Sequence, residues 1–156
     1  MIHYLEQELV DRVRTDDAIF QTMQSTLLEG ISYWDLDRPG EQWFSVRLIG
    51  VLGYSRDEAP NTSAWWQGRM HPEDLGQALV ALQNHEDDPS QPYDEVFRYR
   101  HRDGHLIWLR CRGQMLAGSP RRILGVYNDV TALTEAHTTL RRHNRRLRRS
   151  NQDLED

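Results

Sequence analysis

The sequence predicts an α+β fold: a five-stranded antiparallel sheet with helices on one face, flanked by an N-terminal helix and a C-terminal coiled-coil helix. Three observations carry this. Two strand-like runs, 93–101 and 106–116, are rich in Val, Phe, Tyr, Ile and Trp and are joined by Arg102-Asp103-Gly104-His105. Asp-Gly between such runs signals a tight hairpin, because Gly accepts the positive φ that the turn demands. A third run, 122–130, follows a second turn signal at Ala117-Gly118-Ser119-Pro120. Directly after it, Leu133, Leu140, Leu147 and Leu154 recur every seven residues. A sheet that feeds a heptad helix without a linker suits the passing on of a change of shape.

Residues 4–28 read as a helix, with Leu5, Leu9, Val13, Phe20, Met23 and Leu27 on one stripe. The polar stretch 14–17 can break it, with Asp17 capping a second helix. The stripe packs on its own domain or on a twin in a dimer. Runs 31–37 and 42–46 read as strands around the turn Arg38-Pro39-Gly40-Glu41. Ser45 then caps a short helix that Gly53 stops. Residues 61–70 form a short helical piece carrying Trp65-Trp66. His71-Pro72-Glu73-Asp74 opens a longer helix running to about Asn84, with Pro72 in the first turn and two acids at the positive end of the dipole. The loop 86–92 is exposed. The resulting divisions are an extension over 1–28, a domain over 29–131 and a terminal helix over 132–156.

A chain of 156 residues is one domain by length and buries roughly two-thirds of its unfolded surface. No apolar run approaches the ~18 residues of a membrane span, and no basic-then-apolar leader opens the sequence. The single Cys111 excludes an internal disulfide and a multi-Cys zinc site, and cytoplasm is the expected compartment. The net charge of -5 conceals an asymmetry, since all 19 basic residues are Arg and six of them lie between 141 and 149. Such a cluster could attract nucleic acid or anionic lipid. Here it lies inside the heptads instead of preceding them as in a basic zipper, so no nucleic-acid partner is expected. His71, Glu73 and Asp74 read as capping and dipole partners, not as metal ligands, and no metal site is expected. Ser55, Ser63 and Cys111 have no activating motif, and there is no Gly-rich phosphate loop. An enzyme is not expected.

Strand alternation puts Ile107, Leu109, Cys111, Gly113 and Met115 on the face toward the helices. Tyr93, Glu95, Phe97 and Tyr99 share a face of the preceding strand, and Ile123, Gly125 and Tyr127 share one of the last. Arg98, Arg100, Arg110 and Arg112 become neighbours on the outer face, where their repulsion calls for acidic partners such as those of the N-terminal helix. Helices on one face of an antiparallel sheet leave room for a small ligand between the layers.

The succession Trp34-Asp35, Leu52-Gly53-Tyr54-Ser55, Trp65-Trp66, His71-Pro72-Glu73-Asp74, Phe97 through Gly104, Trp108 and Gly125 through Thr131 resembles a PAS domain over about residues 28–133. The subgroup is the one with a His-Pro-x-Asp turn and an Arg-x-Arg-x-x-Asp-Gly hairpin. The ending, 144–156, is similar to the linker before the phosphoacceptor helix of bacterial sensor histidine kinases. That helix and the ATP-binding domain are not in the sequence. The resemblance therefore implies the input piece of a two-component kinase, with an output domain after Asp156.

The pocket residues so implied are Trp34, Tyr54, Trp66, Met70, Phe97, Tyr99, Leu109, Cys111 and Tyr127. Strand repacking around Phe97, Leu109 and Tyr127 would pass through Asp129 and Thr131, one of which caps the helix. In a homodimer the helix would pair through Leu133, Leu140, Leu147 and Leu154, with Asn144 among the polar residues that set register. The helix could instead fold back on its sheet or fray. The flavin-binding LOV group carries a reactive Cys in the short helix before the long one. Residues 61–70 have none, which speaks against LOV photochemistry, and Tyr127 stands where LOV domains place a flavin-contacting glutamine. Haem-binding PAS domains use a His on the long helix, and only His85, at that helix's end, could serve. A colourless metabolite or a filled core with no ligand is expected. Two alternatives stay open: a ligand-free PAS dimerisation module and a basic zipper that binds nucleic acid.

Overall fold

The computed structural model describes residues 4–27 and 29–155. In chain order these form α1 (Tyr4–Thr15), α2 (Asp17–Leu27), β1 (Gly30–Asp35), β2 (Gln42–Phe44), α3 (Val46–Val51), a 3₁₀ turn (Arg56–Glu58), α4 (Ser63–Arg69), α5 (Pro72–Asp87), β3 (Tyr93–Arg100), β4 (Leu106–Met115), β5 (Arg122–Asp129) and α6 (Thr131–Glu155). The five strands pair antiparallel in the order β2-β1-β5-β4-β3. The fold class is the one the sequence predicts.

The N-terminal helix is broken in two. Asp16, not Asp17, caps α2: its carboxylate accepts the Ala18 N–H at 2.9 Å. Of the expected stripe, Val13 is half-buried and Phe20 exposed. The side chains of Leu9, Met23 and Leu27, and position 28, lie outside the described residues. β1 ends at Asp35, short of the expected 37, because the Asp35 carboxylate accepts the N–H groups of Asp37 and Arg38 at 2.9 and 3.1 Å and turns the chain away. β2 stops before Ser45, whose hydroxyl leaves the ladder to accept Ile31 N–H at 3.1 Å and cap Leu48 N–H at 3.3 Å. Gly53 ends the α3 segment at φ 84°, a conformation favouring glycine.

Phe44, Leu48, Ile49, Leu52 and Leu109, none more than 1% exposed, pack α3 against the inner face of the sheet. The longer helix is fastened at the sheet edge. β3 is the edge strand, and Asp74 of α5 accepts its Arg98 backbone N–H at 2.7 Å and the Arg98 guanidinium at 2.7 and 3.1 Å. Glu73 takes the same guanidinium at 3.1 Å, and His71 N–H donates to the Arg98 carbonyl at 2.8 Å. An open strand edge is thereby closed.

These contacts correct the expectation for the outer arginines. The register sets Val96 opposite Arg110, Arg98 opposite Trp108 and Arg100 opposite Leu106, so no two of the four arginines pair directly. Among the described residues, Arg98 takes its acids from α5, Arg110 is held by Asp94 of β3 at 2.6 and 2.8 Å, and Arg112 donates to Asn128 at 3.2 Å. At an edge strand, a side chain as long as Arg98 reaches round to the helix layer. The folded-back alternative for the terminal helix is also overturned: no residue of α6 is buried among those described.

The Arg98 guanidinium, through its hydrogen bonds, holds the Asp74 carboxyl below its usual range. A depressed folded-state value stabilises above the unfolded value, near pH 4, and that stabilisation is lost as pH falls through the folded value. Asp74→Asn is therefore expected to lower stability at pH 7, and the gap from wild type should close in urea titrations repeated below about pH 4.

Candidate functional site

The inner face has a gap where β4 and β5 bring Gly113 opposite Gly125. No side chain rises from either residue, and a cavity lies above them. β1 contributes Ser32 and Trp34, β2 Gln42, β3 Tyr93 and Tyr99, β4 Cys111, and β5 Ile123 and Tyr127. The roof is Trp66 and Gln67 of α4 and Met70 just after it, with Leu75, Ala78, Leu79, Leu82 and His85 of α5. The cavity's volume is about 60 Å³, room for a few water molecules.

Trp66 is the hub of the wall. Its ring stacks on Phe44 at 4.9 Å, tilts against Tyr99 at 4.9 Å and meets Tyr127 edge-on at 5.4 Å. Two hydroxyls of the wall face each other. The Tyr127 hydroxyl lies 3.3 Å from the Ser32 hydroxyl, and Cys111 stands opposite Tyr127 in register. Burial pushes the Cys111 thiol up to about 12 and raises the phenols of Tyr93, Tyr99 and Tyr127. All four stay protonated at neutral pH, and no Asp, Glu or Arg lines the space. The site suits a small, neutral, largely apolar molecule, and its thiol is a poor nucleophile.

Six of the nine sequence-predicted pocket residues come together here: Trp34, Trp66, Met70, Tyr99, Cys111 and Tyr127. Tyr54, Phe97 and Leu109 do not. Tyr54 packs edge-on against Trp65 at 5.3 Å and accepts from Arg69 at 3.1 Å. Phe97 and Leu109 are paired across β3 and β4 and lie four positions along β4 from the Gly113 gap, enclosed by packed core. Sequence reading missed Ser32, Gln42, Gln67 and the α5 stripe through Ala78. The spacing 75, 78, 82, 85 marks one helix face and could have found that stripe.

α5 runs to Asp87, so His85 sits within its last turn instead of at the expected end near 84. It is 1% exposed. Its Nε2 accepts the Met115 N–H at 3.0 Å, so Nδ1 carries the proton and donates to the Gln91 carbonyl at 2.6 Å. Neither nitrogen is free for haem iron. The ring of Tyr127 stands in the cavity wall, and the thiol of Cys111 lies on the sheet, not on α4.

Beside the cavity, β5 passes into α6 with only Val130 between them. The Asp129 carboxylate accepts the Thr131 N–H at 2.9 Å and the Thr131 hydroxyl at 2.5 Å. That hydroxyl also accepts the Trp108 N–H of β4 at 2.9 Å, and Val130 N–H donates to the Trp108 carbonyl at 2.9 Å. Glu29 joins the α2–β1 connection to the same point, accepting Asp129 N–H at 3.0 Å while its own N–H donates to the Tyr127 carbonyl at 3.0 Å. Along α6, Leu133, Leu140, Leu147 and Leu154 are 72, 58, 50 and 83% exposed, and Asn144 is exposed with them.

An antiparallel 2-1-5-4-3 sheet, a cavity roofed by helices on one face and a helix leaving the central strand make an α+β domain of one sheet and one helix layer. The chain belongs to the PAS family: the family model described as the PAS fold matches residues 44–127, more than half of it. A sensory box histidine kinase/response regulator from Burkholderia thailandensis is 31% identical over 83% of this chain and 98% of that one, with a TM-score of 0.72. The N-terminal domain of a diguanylate cyclase with a PAS/PAC sensor from Marinobacter aquaeolei shares the fold at 20% identity, covering 67% of this chain and 98% of that one with a TM-score of 0.55. The LOV domain of a blue-light activated histidine kinase from Erythrobacter litoralis does so at 15% identity, covering 65% and 95% with a TM-score of 0.50. No curated protein is significantly similar in sequence. No described helix is long and apolar enough to cross a membrane.

His85→Leu would leave the Met115 N–H and the Gln91 carbonyl without partners. A loss of about 2–3 kcal/mol is expected, read from urea denaturation.

Proposed function

We propose that this chain is the cytoplasmic input module of a two-component sensor histidine kinase. In this reading it is a homodimer that passes the state of its cavity, or of a bound partner, to an output domain through α6. The observation that carries the reading is the junction, where one residue separates β5 from α6 and Thr131 is hydrogen-bonded to β4. A displacement of the Tyr127 ring moves the strand that ends at Asp129, and the helix start follows. Two packings of that junction would bias the rotation or register of a helix pair. The 31% identical Burkholderia relative, described as a sensory box histidine kinase/response regulator, supports the kinase context. Catalysis would belong to the output domain, since nothing in the cavity combines a nucleophile with a base.

The exposed heptad leucines support the dimer. Twenty-five residues of α6 make a helix of about 38 Å, marginal alone in water and stable when paired. The neutral, aromatic cavity supports a small uncharged metabolite over flavin or haem. Its small volume favours a second reading, a PAS dimerisation module with no ligand.

Sedimentation equilibrium is expected to give a dimer, and Leu140→Asp combined with Leu147→Asp the 18.4 kDa monomer. A wild-type monomer would remove the dimeric reading. Thr131→Val, which keeps the shape but loses the hydroxyl, is expected to speed amide exchange at Trp108 and in the first turn of α6. Unchanged exchange there would argue against the junction as the transmitter. The visible spectrum of the purified protein is expected to lack flavin and haem bands, and their presence would overturn the cofactor reading.

A further inference from the structure

The tip of the β3–β4 hairpin carries a second constellation, independent of the cavity. His101, Asp103 and His105 lie within one tight turn, and one ligand atom from each falls within 4.8 Å of the other two. His101 Nδ1 is 3.2 Å from Asp103 Oδ1, and His105 Nδ1 contacts the same oxygen. Tetrahedral ligands at about 2.0–2.1 Å from a zinc ion are separated by about 3.3 Å, so the three groups are close enough to share one ion once the exposed His105 ring turns out of its stack on His101 to aim its nitrogen at it. We propose that the hairpin tip is a binding site for a divalent transition-metal ion of the zinc type, held by His101, Asp103 and His105 with the remaining position open to water.

The turn is built to hold these groups. His101 N–H donates to the His105 carbonyl at 2.8 Å, and Gly104, at φ 99°, donates back to the His101 carbonyl at 2.9 Å. The two imidazoles stack at 4.4 Å and 18°, with both Nδ1 atoms beside the Asp103 carboxylate. The His101 ring occupies the space over Gly53, where a Cβ would come within 2.5 Å of its Cε1. One ligand is thus fixed by packing, while His105 and Asp103 have side chains 56 and 61% exposed and leave the site accessible. The neighbouring cation, Arg102, is engaged by Glu58 and lies over the Tyr54 ring at 5.8 Å, so its charge is spent elsewhere. In the metal-free turn His101 Nδ1 accepts the Asp103 N–H at 3.2 Å, a long bond that the ion would replace. Two imidazoles and one carboxylate favour Zn²⁺, Ni²⁺ or Cu²⁺ over Mg²⁺ or Ca²⁺. Because Arg102 N–H donates to the Leu52 carbonyl at 2.9 Å, a bound ion would stiffen the hairpin end that rests on the α3 terminus.

The test is calorimetric titration of the untagged full chain with ZnCl₂, alongside a Co²⁺ titration followed by its visible ligand-field bands. One ion per chain and four-coordinate cobalt bands are expected. His105→Gln and Asp103→Asn, both at exposed positions, are each expected to weaken binding about tenfold or more, with circular dichroism unchanged. His143→Gln, on the exposed terminal helix, should leave it intact. Absence of saturable binding, or a one-to-one site that survives both hairpin substitutions, would overturn the proposal.

Discussion

The helix layer depends on the carboxylate of Asp74. Short helices lie on one face of this sheet, and nothing in their own hydrogen bonding fixes where α5 sits. Asp74 accepts both the backbone N–H and the guanidinium of Arg98, so the edge strand and the start of α5 are one unit. The other end is fixed by His85, bound between Met115 and Gln91. With both ends held, Ala78 and its neighbours on the roof stand at a set height above the sheet.

That height is what makes a cavity. A pair of glycines facing each other across β4 and β5 leaves the floor low, and Tyr93, Ser32 and Tyr127 crowd so close above them that a side chain at either position would clash. The surrounding aromatics cannot collapse into the gap, because Trp66 is wedged among Phe44, Tyr99 and Tyr127. The same wall makes the space neutral. Burial disfavours ionisation of Tyr93, Tyr99, Tyr127 and Cys111.

The junction ties the start of α6 to the sheet. Thr131 is donor to Asp129 and acceptor from Trp108 through one hydroxyl, so α6 is attached to two strands at once. Glu29 brings the end of the N-terminal helices to the same point, which makes the entry and exit of the domain neighbours.

The order of elements, the hairpins, the capping residue Ser45 and the inward faces of the strands were legible in the sequence, which left the cap of α6 between Asp129 and Thr131. Periodicity and turn chemistry are local properties, written in neighbouring residues. Of the six expected residues that line the cavity, Tyr99, Cys111 and Tyr127 lie on strand faces that this alternation marks, while Trp34, Trp66 and Met70 came from the resemblance. What the sequence left open needs distances between elements. Phe97 and Leu109 share a face with Cys111, yet only the packing of helices over the sheet decides that they fill core while Gly113 and Gly125 open a gap. Asp74 read as a dipole partner at a helix start, and only the edge position of β3 made it the clamp for Arg98. The outer arginines looked like a repulsive cluster until register separated them. His101 and His105 were two residues flanking a turn in the sequence, and only the hairpin's closure set their rings side by side.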